Sequence, residues 1–503
     1  MKGIMDSMSV RPASWPLFLL VLGACGQDKA NLQPLIPASL ESLGGTGQSA
    51  PVGSPLPNSL RVRVSDAAGN DAAGVEVAWS VLAGGGTVSP ATSPTGSDGV
   101  AAAEFTLGPA EGEQRAQASV AGLDGSPVVF TETATTTPPP PPLVKLTVAS
   151  GGNNVPERYS SDLWVHGGYA YTGTWGGFFR VDDPGDVLKV WSLNASGAPT
   201  LVDSIKIADI STVSDVQVSE DGQVLMCTAE YDPAGGLYLY SLANPAHPAL
   251  LGSVLVEGGL HTGTLAELNG RRYVFGARNP FVLDPALVIY DVTDPSHITL
   301  TATVPEPANY GIHDTFVRDG LAFAFVWNTG LIIYDVGNGI SGGSPAHPVE
   351  VSRLLTAANG VSGGRAVHNG WWFHNPVSGE NRYLFIGQEG LGEIGSRSSG
   401  DIHVVDVSDL TNPHEVAFFH LAGAGTHNFW MDEERQILYA AYYNAGVVAL
   451  DVSGTLSGDI SGRLLSRLRP GGTGNTFTWG VQLANGFLYA SDMLSGLWQL
   501  STE

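Results

Sequence analysis

The chain has 503 residues, 48 of them acidic and 23 basic, for a formal charge of −25. That balance excludes a nucleic-acid binder, which needs a basic footprint, and docking on anionic lipid through a polybasic patch. Hydrophobic residues make up 43 % and charged ones 14 %, while 65 glycines and 32 prolines punctuate the sequence. Such punctuation suits many short strands joined by turns, not long helices.

At the N-terminus, Lys2 and Arg11 form a positively charged start ahead of a short apolar stretch, Trp15–Leu22. It is too short to span a bilayer as a helix and reads as a signal-peptide core. Leu22-Gly23-Ala24-Cys25 follows and resembles a bacterial lipobox. The resemblance implies that residues 1–24 are a lipoprotein signal peptide, that Cys25 is acylated, and that residues 25–35 tether the remainder to a lipid bilayer. Acyl chains hold a protein by burying methylenes, about 0.8 kcal/mol each. An exported protein of the bacterial cell envelope is therefore expected, held at the outer membrane or cell surface. Cys227, in the apolar run Val224–Cys227, reads as a buried, unreactive thiol.

From residue 36 to 136 the pattern is all-β. Leu60–Val64 and Val75–Val81 alternate apolar and polar residues, and Ala103–Leu107, Arg115–Val120 and Val128–Thr131 follow. Turns at Ala68-Gly69-Asn70, Gly84-Gly85-Gly86 and Asp98-Gly99 separate them, the rhythm of an Ig-like β-sandwich. Leu60–Asn70, Gly74–Val77, Gly84–Val88 and Gly96–Ala101 resemble the bacterial Ig-like domains of the invasin and intimin type. That family implies a surface spacer or adhesive module without catalysis. Pro138–Pro142 then marks a linker over residues 137–142, an extended and semi-rigid polyproline run.

From 143 to 503 a unit recurs every 40–60 residues or so. An apolar strand ending in a turn appears seven times: Leu188–Leu193, Leu237–Leu242, Leu287–Val292, Leu331–Val336, Ile402–Val407, Val447–Val452 and Leu497–Ser501. Two strands precede each copy and one follows it. A four-stranded unit cannot cover its own faces, and radial packing of seven such units as a β-propeller solves that. The last unit stops one strand short, and Leu143–Val148 is expected to supply that strand and close the ring. Leu287-Val-Ile-Tyr-Asp and its copies resemble the LVIVD repeat family, which implies a propeller on bacterial surface proteins and little about biochemistry.

Aligning the first strands places Ser161, Ser214, His261, His313, His368, His427 and Trp479 at one position. The next position holds Asp162, Asp215, Thr262, Asp314, Asn369, Asn428 and Gly480. First strands lie nearest a propeller axis, so His261, His313, His368 and His427 would converge on a channel. Imidazoles in such a set would hold a transition metal, Fe, Cu or Zn, with Asp314 and Glu267 as candidates to orient them. Ser161, Ser214 and Trp479 at the same position instead fit a slot that fixes neighbouring loops, and the sequence favours this plainer role. Trp371, Trp372, Trp430 and Trp479 would line a groove for a surface glycan or a peptide or protein ligand. The glycine-rich stretch Gln388–Gly400 is an insertion placed to fold over the channel mouth. The leading reading is a lipid-anchored binding, adhesion or scaffold module. The rival is a metal-dependent enzyme of oxidase or oxygenase type using the four histidines.

Overall fold

A computed structural model describes residues 36–135, 143–154, 158–176, 185–194, 196–231, 233–278, 285–306, 311–357, 366–376 and 378–503. Cys25, the leader, the tether and the Pro138–Pro142 run lie outside the described residues. The chain divides into two compact units, residues 1–137 and 138–503. Almost everything described is strand or turn; one short 3-10 turn, Ser461–Arg463, interrupts it. No helix among the described residues is long and apolar enough to cross a membrane.

The first unit has two sheets. Pro37–Gly44, Leu60–Asp66, Val100–Thr106 and Thr87–Ser89 form one; Ser49–Pro51, Val128–Thr135, Gly112–Ser119, Glu76–Ala83 and Thr92–Pro94 form the other. Alternation puts Val62, Val64, Ala101, Ala103 and Phe105 of the first sheet against Val77, Trp79, Ala116, Ala118 and Phe130 of the second. The Trp79 and Phe130 rings lie 6.0 Å apart, and the Trp79 indole N–H donates to Ser93 Oγ at 2.8 Å.

One carboxylate departs from this apolar pattern. Glu132 is buried; its Oε2 accepts from the Gln48 N–H at 2.6 Å and its Oε1 has no partner. Burial pushes its pKa up to about 7. A carboxyl raised in the folded state stabilises most below its unfolded pKa, and that contribution is lost as pH rises through 7. Glu132→Gln, which keeps an acceptor for Gln48, is therefore expected to raise the first unit's Tm by a few degrees at pH 8 and to add nothing at pH 4. Thermal scans at the two pH values check this.

The second unit contains, among the described residues, seven sheets of four strands or more, taken in chain order and antiparallel except where Gly458–Asp459 adds a parallel fifth strand to one of them. In each, the first three strands pair in sequence and the third carries the repeated apolar motif, as in Leu260–Leu268, Arg271–Arg278 and Ala286–Asp291. These middle strands are buried on both faces, and neighbouring sheets share cores: Phe275, Ile289, Ala322, Ala324 and Ile332 pack together across two of them. The unit is a β-propeller.

The last sheet takes its fourth strand from the start of the unit. Thr147–Gly151 pairs antiparallel with Gly496–Ser501, Thr147 opposite Ser501 and Gly151 opposite Trp498. This pairing begins later than Leu143–Val148 would place it. Val144 and Leu146 instead bury their side chains beside Ile437, Tyr439 and Leu500, and Leu146 N–H donates to Ser466 Oγ at 3.0 Å. The repeated aspartates cap turns: Asp335 accepts from the N–H groups of Gly337, Ser341 and Gly343, which hold its carboxyl well below the usual range. Cys227 is a free, buried thiol.

Candidate metal centre and axial channel

In a regular strand consecutive side chains point to opposite faces. The first strands break that rule at one place. Their pairing to the second strand shifts register between Ser160 and Leu163, Val213 and Val216, Leu260 and Thr262, Val367 and Asn369, and Thr478 and Gly480. Such bulges re-aim a side chain, so two consecutive residues face the axis in each of these strands. His313 and His427 precede their paired segments and donate their backbone N–H to Phe325 O and Ala441 O at 2.7 and 2.8 Å. The result is two stacked rings of side chains at the wall of an axial cavity of about 790 Å³.

The first ring brings the four histidines together. The ring centroids of His261 and His313, of His313 and His368, and of His368 and His427 are each 4.1 Å apart, and Trp479 continues the arc 4.1 Å from His427. His261 Nε2 and His313 Nε2 are 2.8 Å apart. His313 Nδ1, both ring nitrogens of His368 and His427 Nδ1 are buried without a hydrogen-bond partner. Burial, reinforced by the neighbouring imidazoles, holds His313 and His427 well below the usual histidine range, and His368 falls to about 3. These are neutral imidazoles, the form that binds metal. For His261, burial acts downward too, but the Glu230 carboxylate outweighs it and holds the group above its ordinary value.

Three further groups complete the ring, and the sequence alone did not reveal them. Glu230, at the end of Val224–Glu230, places Oε1 2.7 Å from His261 Nδ1. Glu389, in the Gln388–Gly400 insertion, places Oε2 3.6 Å from His313 Nε2 and 3.8 Å from His368 Nε2. One ligand atom from each of His313, His368 and Glu389 lies within 4.8 Å of the other two. The Tyr443 hydroxyl donates to the other Glu389 oxygen. Neither carboxylate stands beside a histidine in the chain; a Glu immediately after an interrupted second strand was the only available signal for Glu389. Glu267, expected to orient an imidazole, does not: it pairs with Arg272 at 2.9 Å. Asp314 belongs to the next ring, its carboxyl accepting from the Thr315 N–H at 2.7 Å.

That second ring holds Asp162, Asp215, Asp314, Asn369 and Asn428, all lining the cavity. The Asp162 and Asp215 carboxyl groups share a hydrogen bond, Asn428 donates to Asp162 at 2.9 Å, and the Gly263 N–H donates to Asp215 at 2.9 Å. Gly480 makes room: a Cβ there would lie 2.5 Å from Asp162 Oδ1. Gly480→Ala is therefore expected to lower the propeller's Tm by a few degrees, in line with about 1–3 kcal/mol of overpacking. Gly168→Ala, with no atom nearer than 4.0 Å, changes it little. Calorimetry of the two variants makes the comparison.

Three residues further along each first strand, Trp164, Phe316, Trp371 and Trp430 line the same cavity. Trp371, Trp430 and Trp479 thus face the axis. Trp372 does not: strand alternation turns it into the core, where it packs 5.2 Å from Phe323 and donates its indole N–H to Asn381 O. It lines no groove.

The LVIVD repeat model matches residues 157–182 and 397–420. No curated protein matches the chain. Among solved structures, the chain is similar to the Cps50 (Swd1) β-propeller domain of Myceliophteria thermophila, with 12 % identity and a TM-score of 0.47, over 69 % of this chain and 98 % of that one. It is also similar to Raptor of Chaetomium thermophilum, with 14 % identity and a TM-score of 0.46, over 71 % of this chain and 29 % of that one. The repeat match and the sheet order together make the second unit a β-propeller bearing LVIVD repeats, a fold suited to binding or scaffolding.

Proposed function

We propose that this protein is a lipid-anchored binding protein of the bacterial envelope whose seven-bladed propeller holds a transition-metal centre at its axis. The observation that carries the metal reading is the approach of His313 Nε2 and His368 Nε2 to one Glu389 oxygen, at 3.6 and 3.8 Å, with both ring nitrogens of His368 and one each of His313 and His427 buried without a partner. A metal about 2.1 Å from each ligand at the tetrahedral angle sets neighbouring ligand atoms about 3.4 Å apart, close to the 3.6 and 3.8 Å that separate Glu389 Oε2 from His313 Nε2 and His368 Nε2. Glu230 on His261 supplies the carboxylate that orients a ligating imidazole and raises its basicity. The donors are nitrogen and oxygen, which suits Fe, Zn or Cu(II) and disfavours Cu(I).

Residues 36–136 are, in this reading, an Ig-like spacer, and acylated Cys25 fixes the chain to the membrane. The aromatic side chains lie inside the channel, which supports a small ligand over a glycan polymer or a protein. Oxygenase-type catalysis is the second reading. It is favoured by His313, His368 and Glu389, a two-histidine, one-carboxylate donor set of the kind that leaves open positions on Fe(II). Elemental analysis of the purified full chain tests the centre. About one equivalent of Fe, Zn or Cu supports it; metal-free protein that takes up none on titration refutes it.

A further inference from the structure

The cavity's charges are not balanced from within. Asp162, Asp215 and Asp314 stand in one ring, and no Arg or Lys pairs with any of them among the described residues. Arg318 is the one Arg or Lys among the described residues lining the cavity. It is engaged by Glu433 at 2.5 Å, beside Trp371, whose indole N–H also donates to Glu433. Asp162, Asp215 and Asp314 are each partly exposed and line the cavity. Burial and the nearby Asp215 charge hold Asp162 above the usual carboxylate range, and burial does the same for Asp215. In the same ring Asn369 is 3 % exposed, and its side-chain oxygen has no hydrogen-bond partner. The hydrogen bonds that reach the three carboxyl groups come from neutral donors, so the ring offers carboxyl oxygens and one unpartnered amide oxygen to a ligand that brings positive charge.

The adjoining wall is aromatic on one side only. Phe316 and Trp371 lie 5.2 Å apart, Trp371 and Trp430 5.4 Å, and Trp430 and Trp164 6.0 Å. Successive rings are inclined at 45°, 60° and 75°, so the four make a curved surface. Gln482 would interrupt it, but both ends of its amide are tied to the backbone of Val165. Across the channel the wall is polar, with Gln217 bound to Leu265 and Thr264 bound to Thr315. Aromatic faces attract cations, most strongly where water is excluded. The cavity's size suits a small molecule.

We propose that the axial channel binds a small organic ammonium ion. Its charged group sits at the Asp162–Asp215–Asp314 ring, and its apolar body lies against Trp164, Trp430, Trp371 and Phe316. The proposal extends the channel's ligand-binding role, rests on that reading of the fold, and does not require a bound metal. An aromatic amine fits both halves at once; a carboxylate or phosphate is repelled by the ring.

The test uses the full chain, once after chelation and once metal-loaded. Titration calorimetry and tryptophan fluorescence compare 2-phenylethylammonium with 2-phenylethanol, the neutral molecule of nearly the same shape. The amine is expected to bind at least about tenfold more tightly and to quench the fluorescence. Asp215→Asn, or Asp314→Asn where the first does not fold, should cut amine affinity about tenfold and leave the alcohol unchanged. Trp430→Leu should weaken both. Equal affinity for the two probes, binding of neither, or a folded Asp→Asn variant with unchanged amine affinity overturns the proposal. Elemental analysis of the same samples reports on the metal centre independently, so either idea can fail while the other stands.

Discussion

Deleting residues 143–151 is expected to remove the cooperative unfolding transition of the propeller altogether, or to lower its Tm by well over 10 °C. These residues do two things. Thr147–Gly151 covers the backbone edge of Gly496–Ser501, so the sheet nearest the C-terminus is completed by residues from the start of the unit. Val144 and Leu146 are buried against Ile437, Tyr439, Val481 and Leu500, a core shared by two sheets. Two buried aliphatic side chains contribute roughly 3–6 kcal/mol, and each ladder hydrogen bond adds about 1 kcal/mol. Their sum is comparable to the 5–15 kcal/mol that separates folded from unfolded in typical domains. The loss also exposes the backbone edge of Gly496–Ser501, a template for aggregation. Circular dichroism melts of the full chain and the deletion decide the matter; a propeller transition within a few degrees of the parent would show that the strand is dispensable. The first unit's core, centred on Trp79 and Phe130, lies outside these contacts and should melt as before.

Repetition is why so much of the propeller was legible. A strand such as Leu287–Val292 is ambiguous alone, but seven copies in phase identify the buried third strand, and period-2 alternation then sets which face each residue takes. The same reasoning placed His261, His313, His368 and His427 at one level, and their rings do stand in a continuous arc. What repetition cannot supply is anything that occurs once. Glu389 sits in an insertion found in one unit, and Glu230 at the end of a second strand; each reaches its histidine through the tertiary packing of a neighbouring sheet. Trp372 shows the converse error. It neighbours Trp371 in sequence, whereas alternation sends the two to opposite faces of one strand. The paired Asp ring was readable as residue types but not as an axial layer. It faces the channel because of the register shifts between first and second strands, and a bulge leaves little trace in a single sequence.

Saturating a chelated sample with Zn²⁺ or Fe²⁺ is expected to raise the propeller's Tm by several degrees, and His313→Ala/His368→Ala to abolish the shift. The magnitude follows from linkage: a ligand at 100 times its Kd stabilises the state that binds it by about 2.7 kcal/mol. The neutral imidazoles of His313, His368 and His427 favour binding, because no proton must first leave them. The double variant removes two ligands and leaves the inter-sheet cores intact, since the histidines face the cavity. Single carboxylate changes separate the roles of the two glutamates. Glu389→Gln, with its amide oxygen held by the Tyr443 hydroxyl, puts an NH2 group where Oε2 joins His313 and His368, so metal should be lost outright or bound far more weakly. Glu230→Gln keeps all ligand atoms and removes only the charge that orients His261, for which about 10–100-fold weaker binding is expected. An equal effect of the two changes would mean that Glu389 acts only by orienting its neighbours. No Tm shift with any first-row divalent ion, together with metal-free purified protein, would return the four histidines to the plainer role of holding the ring's loops in place.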